Sequence, residues 1–371
     1  MGDRMELADE AAMKLVILVL NWNQGAATVA CLDTLHRAEL LGAEIIVIDN
    51  GSRDGSIETL RAAYPAQRLI ALPENLGYAG GNNAGLRVAL AEGADLVLVL
   101  NNDTLVSPDF LPPLLLAMEQ TTHAAAVCSA IHRADRPEML NVAYSEVRFG
   151  ERNAVKLKGV NALPGEGFTE RREVEAVVGC CVLMRGAALR EVGLLDEAYF
   201  AYHEDIDWSL RARRAGWTLV YEPFSRVYHA TSGSTTLAAL PEGAGGLELG
   251  LPNAEPVPFN PKRAYLGARN LVRLVKTHTE PRTQRSFAVR CLIGLPLEYT
   301  AVLFNREGTL QLELWGYKAL LRLLLEERPP LWRAWREAER SGRTAQVWAY
   351  TRGLWDGLWN RPLPLRQLGL R

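Results

Sequence analysis

Apolar and polar positions fall into alternating blocks over the first hundred residues. LVILVL (15–20), EIIVI (44–48) and LVLVL (96–100) are continuous apolar runs of strand length, and RLIA (68–71) is a shorter one. Between them lie stretches of helical period: about Gly25 to Leu41, Gly55 to Ala63 before Pro65, and about Asn82 to Glu92. Strands that are apolar throughout, separated by helices, predict βαβ units and a mostly parallel sheet covered on both faces. Three of the runs lead into polar ends, Asn21-Trp22-Asn23, Asp49-Asn50 and Asn101-Asn102-Asp103. Open α/β sheets bind ligands beyond the carboxyl ends of their strands. One Asn or Asp there would signal only a turn; three in register mark a candidate site.

The rhythm changes from about Ala124 to Ser234, with shorter strands and longer loops expected. Glu173–Met184 predicts a strand pair, or one long strand, around Gly179. Ser209–Ala215 predicts a helix stopped by Gly216, and Trp217–Tyr221 and Arg226–Tyr228 predict short strands leading to His229. Residues 237–261 hold five prolines and four glycines, the composition of a linker or extended loop. Beyond it, Arg263 to about His278 and Gly308 to Glu327 have helical period, with Leu310, Leu314, Tyr317, Leu321 and Leu324 on one face.

Composition narrows the class. The 371 residues are 48% hydrophobic and 23% charged with a net charge of −2, which excludes disorder and gives no reason to expect nucleic acid. The five cysteines are odd in number and lack a CxxC pair, so neither a disulfide framework nor a zinc site is expected and a reducing compartment fits. MGDRMELADEAAMK has no basic, apolar signal-peptide pattern. The most apolar late stretch, Phe287 to Phe304, is interrupted by Arg290, Pro296 and Glu298, so a membrane span is not expected. The near-neutral total hides an asymmetry: residues 261–371 carry 20 Lys+Arg against 9 Asp+Glu, and the remainder 21 against 34. Six of the nine tryptophans (Trp315, Trp332, Trp335, Trp348, Trp355 and Trp359) also lie in the basic part. Such a segment suits an anionic membrane surface; packing on the acidic part, or on a second copy, is the alternative.

The candidate chemistry is carboxylate-rich. Asp49 and Asp103 end strands and are expected to project into the crevice, where a carboxylate can accept from a ribose or base, or hold a hard cation. The run Glu74-Asn75-Leu76-Gly77-Tyr78-Ala79-Gly80-Gly81-Asn82-Asn83-Ala84-Gly85 predicts a loop feeding a helix N-terminus, where backbone can approach a ligand. It is neither GxGxxG nor a P-loop. His203-Glu204-Asp205-Ile206-Asp207-Trp208 sets acids among Tyr199, Phe200, Tyr202 and Trp208, and aromatic walls raise a carboxyl's pKa towards that of a general base. Asp207 is assigned to plain helix-start capping. His229, a lone histidine, becomes a candidate ligand only if Asp103 is near, as an imidazole suits Mn²⁺ better than Mg²⁺.

Taken in order, VILVLNWNQ, EIIVIDNGSRDGS, ENLGYAGGNNAGL, LVLVLNND, VVGCCVLMRGAALREVGLLDEAYFAYHEDIDWSLRARRAGW and VYHATSGS resemble family 2 glycosyltransferases of the GT-A fold. The likeness is to bacterial rhamnosyltransferase-like and galactofuranosyltransferase-like members. It spans about residues 14–235, and Tyr265…Arg269-Asn270 extends it. The resemblance implies an α/β catalytic domain over 14–235; composition and charge add a linker over 236–261 and a basic helical region over 262–371. It implies inverting transfer from a dTDP- or UDP-sugar, rhamnose foremost, to a hydroxyl of a glycan or lipid-linked acceptor. The cysteine usage and the basic, tryptophan-bearing region suggest a cytoplasmic setting, on the inner face of the plasma membrane. Asn21, Asp49, Asn75, Gly77 and Asn83 would line the nucleoside pocket. Asp103 would be the metal-binding acid of the family's DxD motif, and His229 a second ligand for Mn²⁺ or Mg²⁺. That motif here is Asn101-Asn102-Asp103, with Asn102 beside the donor and the first acid missing. Asp205, paired with Glu204, would be the catalytic base. A sugar nucleotidyltransferase would need a glycine-rich basic loop after the first strand, where Asn21-Trp22-Asn23-Gln24-Gly25 stands. A binding module without catalysis remains the alternative because the first DxD acid is Asn.

Overall fold

The computed structural model describes residues 13–151, 154–163, 165–230, 261–291 and 343–370. Four strands, β1 (Leu15–Asn21), β2 (Glu44–Asp49), β3 (Arg68–Ala71) and β4 (Leu96–Asn101), lie parallel in the order β4-β1-β2-β3. Helices α1 (Gly25–Leu35), α2 (Ser56–Ala63) and α3 (Gly77–Ala91) connect them. Leu15, Ile17 and Val19 of β1 pack with Leu32 and Leu35 of α1, whereas Val16, Leu18 and Leu20 pack with Leu86 of α3. Both faces of each strand are therefore buried, which is why these strands are apolar throughout.

The sheet continues from β4 through β11 (Cys181–Arg185), β6 (Ala124–Arg133) and β12 (Thr218–His229) to β10 (Arg172–Glu173). β11 is antiparallel to both its neighbours, so the sheet is mixed and its first half parallel. β5 (Thr104–Val106) pairs with the end of β12, and β7 (Leu140–Val142) with β6. A separate hairpin joins β8 (Tyr144–Val147) and β9 (Val155–Lys158). Helices α4 (Leu111–Gln120), α5 (Gly186–Val192) and α6 (Glu204–Arg214) complete the two layers.

Several boundaries differ from expectation. α1 stops at Leu35, short of Leu41; the chain goes on through turns, Arg37 N reaching Thr34 O and Ala38 N Leu35 O, before turning left-handed at Leu41 (φ 51°) and Gly42 (φ 81°). α3 opens at Gly77, so most of the glycine- and asparagine-rich run is helix. Its glycines serve packing: a Cβ at Gly85 would lie 2.7 Å from Ile48 Cδ1, and one at Gly81 2.6 Å from Leu20 Cδ1. α6 opens at Glu204 and not Ser209. β10 and β11 do not pair with each other; β10 pairs with β12 alone. The two short strands before His229 are one, because a bulge between Glu222 and Arg226 absorbs Pro223.

After the gap in described residues comes α7 (Pro261–His278), matching the expected helix, then helical residues 281–291 and the helix Arg343–Leu358. The last packs closely along α7: a Cβ at Gly357 would lie 2.8 Å from Val272 Cβ. α7 also faces the α/β layer, Leu274 packing with Tyr199 and Ile206, and Tyr265 and Leu266 with Phe200. Residues 236–260, the expected helix 308–327 and Trp315, Trp332 and Trp335 lie outside the described residues. Among those described, no helix is long and apolar enough to cross a membrane.

Candidate active site

Sheet register sets the polar strand ends side by side, Asn21 opposite Asp49 and Leu20 opposite Asn101. Asn21 is fully buried. Its Nδ2 donates to Asp49 Oδ1 (2.7 Å) and Ser52 Oγ (3.1 Å), and its Oδ1 accepts from Thr28 Oγ1 (2.7 Å) and Asn102 Nδ2 (3.5 Å). Ser52 N donates to the other Asp49 oxygen at 3.0 Å. Asp49 is thus fully buried and does not project into the crevice as expected: its carboxylate holds the strand ends together. Asn50 ties this cluster to the next turn, its Nδ2 donating to Asn75 Oδ1 and Gly77 O, both at 3.0 Å, and its Oδ1 accepting from Leu76 N. Gly77 is left-handed (φ 77°) with the Phe200 carbonyl directly beneath, a position only glycine fills without a clash. Thr28 and Ser52 were not singled out by sequence, since a hydroxyl after a strand has no distinguishing pattern; Asn50 was named only as part of a polar strand end. Asn83 is placed differently. Its amide bonds the backbone of Leu195 in both directions and Glu197 Oε1, holding α3 to that turn instead of opening onto the crevice.

Asp103 and His229 do converge. Antiparallel pairing of β5 with β12 sets Thr104 opposite His229 and brings Asp103 Oδ1 to 3.2 Å from His229 Nε2. Their side chains remain 27% and 20% exposed, open enough to take a ligand. Asn141, on β7, stands 3.2 Å from His229 Nδ1 and fixes the ring. Burial alone would lower the His229 pKa; Asp103 overrides it and holds it above its ordinary value. A carboxylate oxygen and an imidazole nitrogen about 3 Å apart have the separation of adjacent ligands on a divalent ion with bonds near 2.1 Å. No cluster of three or more metal-ligating side chains exists among the described residues. The pair thus fits an ion whose remaining shell comes from phosphate and water, as hard cations at diphosphate sites commonly have.

Glu204 and Asp205 open α6. Gly179 N donates to Asp205 Oδ2 (2.9 Å) and Ile206 N to Oδ1 (2.8 Å), so both oxygens of that carboxylate are held by N–H donors. Glu204 Oε2 is buried without a partner. Burial raises the pKa of both, and Asp205 raises that of Glu204 further. Burial thus disfavours charge on both, while the two N–H donors on Asp205 favour its charged form and Glu204 Oε2 has no such donor. The Tyr78 hydroxyl donates to Gly179 O, and it lies in the fields of Glu204, Asp205 and Asp103 while burial raises its pKa.

Two expectations about this segment need correction. Trp208 and Tyr199 are core residues, 1% and 0% exposed, so only Phe200 and Tyr202 remain to wall the acids. Asp207 is not a helix cap: buried, it accepts from Arg211 Nε and His278 Nε2, each at 2.8 Å, and from the Tyr199 hydroxyl.

A mixed α/β sheet with amides and a carboxylate at its parallel strand ends, an Asp–His pair and a buried acid beside them has the architecture of nucleotide-sugar-dependent transferases. Residues 16–193 match the family "Glycosyl transferase family 2", and this part of the chain belongs to it. N-acetylglucosaminyl-diphospho-decaprenol L-rhamnosyltransferase of Mycobacterium tuberculosis is 29% identical over 243 residues, 60% of this chain and 77% of that protein. Galactofuranosyltransferase GlfT1 of the same organism is 28% identical over 190 residues, 50% of this chain and 60% of that one. The structure of mannosyltransferase PcManGT from Pyrobaculum calidifontis, in complex with GDP-Man and Mn²⁺, matches with a TM-score of 0.51 at 15% identity. That match covers 94% of this chain and 87% of the other, and shows a shared fold. The chain is a glycosyltransferase.

Proposed function

We propose that this chain moves a sugar, with inversion at its anomeric carbon, from a dTDP- or UDP-sugar to a hydroxyl of a glycan or lipid-linked acceptor in cell-surface polysaccharide synthesis. The L-rhamnosyltransferase relative favours rhamnose. The observation that carries the proposal is the 3.2 Å approach of Asp103 to His229, two residues remote in sequence that meet at the carboxyl edge of the sheet. In this reading Asn21, Asp49, Asn75, Gly77 and Asn102 shape the nucleoside side of the crevice; the fully buried Asn21 and Asp49 act by holding its turns through each other, Thr28 and Ser52, as Asn83 does through the Leu195 turn. Asp103 and His229 hold Mn²⁺ or Mg²⁺, which when bound supplies positive charge against the departing diphosphate. Asp205 takes the acceptor's proton on a carboxylate oxygen while that hydroxyl attacks from the face opposite the diphosphate. Its burial makes it a stronger base than an exposed aspartate. One base suffices, unlike the carboxylate pair of a hydrolase.

We place catalysis in 14–235 and assign the 262–371 region to contact with the cytoplasmic face of the membrane. Trp355 on the last helix and Trp359 just past its end are 49% and 64% exposed, with ring centroids 5.7 Å apart. Sedimentation with liposomes should depend on anionic lipid; if it does not, that face belongs to protein packing or a second copy. The catalytic reading is tested by supplying UDP- and dTDP-sugars, Mn²⁺ and a polyprenyl-diphosphate-linked sugar acceptor. Release of nucleotide diphosphate with an inverted glycosidic product is expected. Nucleotide binding without any release would return the chain to the binding-module alternative.

A further inference from the structure

Residues 199–203 lead from a short 3-10 turn into α6 through three left-handed residues that are not glycine: Phe200 (φ 64°), Tyr202 (φ 72°) and His203 (φ 72°). That conformation is sterically unfavourable for side chains with a Cβ, so the loop persists only where its surroundings impose it. The imposing group comes from the C-terminal region. Asn270 of α7 is fully buried, and its Nδ2 donates to Tyr199 O (2.7 Å), Ala201 O (2.7 Å) and Tyr202 O (2.9 Å). The one carbonyl between them, Phe200 O, accepts from Ala79 N of α3. Arg269 Nη1 donates to Ala198 O and to Asn270 Oδ1 (2.9 Å), which turns the amide so that its NH₂ faces the loop. The carbonyls of 198–202 are thus all engaged, four of them by two adjacent residues of α7, immediately before Glu204-Asp205.

We propose that Asn270 is a positioning residue for the transfer reaction: it fixes the strained 199–203 loop and so the place of Asp205, making α7 part of the active centre. The proposal rests on the reading of Asp205 as the proton acceptor. It turns on hydrogen donation, and not on volume. Aspartate has the shape of asparagine but no hydrogen to give when ionised, and its charge would face three carbonyl oxygens.

The test compares Asn270→Asp, Asn270→Ala and Asp205→Asn in the full chain, by nucleotide diphosphate release, UDP affinity in Mn²⁺, and amide exchange. Both Asn270 variants should lose turnover by about a hundredfold, the scale of a 1 Å misplacement. Donor KM and UDP affinity should change much less than kcat, since Asn21, Asp49 and Asn102 lie on other elements and only the Gly77 turn rests on the loop. Exchange should quicken in peptides 77–82 and 196–207 and be unchanged in β1 and β2. Near-native turnover for Asn270→Asp with loss for Asn270→Ala would show that volume alone matters and overturn the proposal, as would a loss confined to donor KM. If Asn270→Asp does not fold, Asn270→Ser, which keeps one hydroxyl hydrogen, should fold and lose roughly tenfold in kcat by the same misplacement; unchanged kcat would refute the role. If Asp205→Asn keeps its turnover, the base assignment falls, while the exchange pattern still decides whether Asn270 holds the loop.

Discussion

Asp207 separates two accounts of the acid-rich start of α6, and the magnitudes differ enough to decide. As a helix-start acid it would contribute about 0.5–1 kcal/mol, through capping or the macrodipole, and its replacement would be mild. The structure instead buries it, 1% exposed, between Arg211 and His278, with the His278 side chain fully enclosed. Arg211 retains two carbonyl partners, Val192 O and Leu194 O, but no other carboxylate. Asp207→Asn leaves that guanidinium without its counter-charge and turns amide hydrogens towards a donor. Breaking a buried ion pair on one side costs about 3–5 kcal/mol. For a domain of this size that is on the order of 10 °C in Tm. The assay is thermal unfolding of wild type and Asp207→Asn, followed by circular dichroism across pH. Burial pushes the Asp207 pKa up, but hydrogen bonds from His278 and Arg211 outweigh it and hold it below the ordinary value. A depressed acid contributes stability above its unfolded pKa, about 3.9, and loses it as pH falls through the folded value. The gap between the two proteins should therefore be widest above about pH 5 and close below about pH 4. A drop of less than about 1 kcal/mol at neutral pH would refute the buried-network account in favour of the cap.

Three further outcomes are expected. Asp205→Asn should lower turnover by about 10²–10⁴, the usual contribution of a positioned base, with UDP binding near native; near-native turnover would remove Asp205 from the mechanism. Asn141→Leu should raise the Mn²⁺ concentration for half-maximal activity about 10–100-fold, because the ring of His229 loses its orienting partner; an unchanged titration would make Asn141 incidental. Burial lowers the His203 pKa to about 4. The unfolded chain takes up that proton near pH 6.5 and the folded one does not, so His203 depresses stability increasingly as pH falls from about 6.5 to about 4. His203→Asn, which accepts the left-handed backbone, should flatten that part of the Tm profile; identical profiles would dismiss His203 as its source.

The first half of the fold was legible because it is local. LVILVL, EIIVI and LVLVL each bury both faces, and no other element tolerates so continuous an apolar run. What failed was where chain-distant contacts override local rules. The helical run of glycines and asparagines from Gly77 looks like a loop because glycine is a poor helix former; its fit against Leu18, Leu20 and Ile48 is invisible without the sheet. Pro223 reads as a break, yet β12 passes it with a bulge. Within the site, Asp103 and Asp205 could be picked out as acids at a strand end and a helix start. The partners that define their chemistry could not. Asn141 comes from β7, and the Gly179 amide from the approach to β11; neither has a spacing tied to the residue it serves.

The charge asymmetry has a more specific origin than the opposing totals imply. Part of the basic excess after residue 261 is used inside the molecule. Arg273 pairs with Asp196 at 2.7 Å, Arg269 binds the Ala198 carbonyl and His278 meets Asp207, so α7 answers the acidic layer it covers. The helix Arg343–Leu358 differs. The Arg352 side chain is 56% exposed and that of Arg361, just beyond the helix, 58%; both reach the single buried Asp356 only at 3.6 Å, beside the exposed Trp355 and Trp359. Exposed pairs at that distance contribute about 0–1 kcal/mol, so these cations keep most of their field for another partner. Packing on the catalytic layer and a basic, tryptophan-bearing outer face are therefore not rival explanations of one segment. The first is carried by α7, which through Asn270 reaches the loop before Asp205, and the second by exposed side chains on and just past the helix Arg343–Leu358.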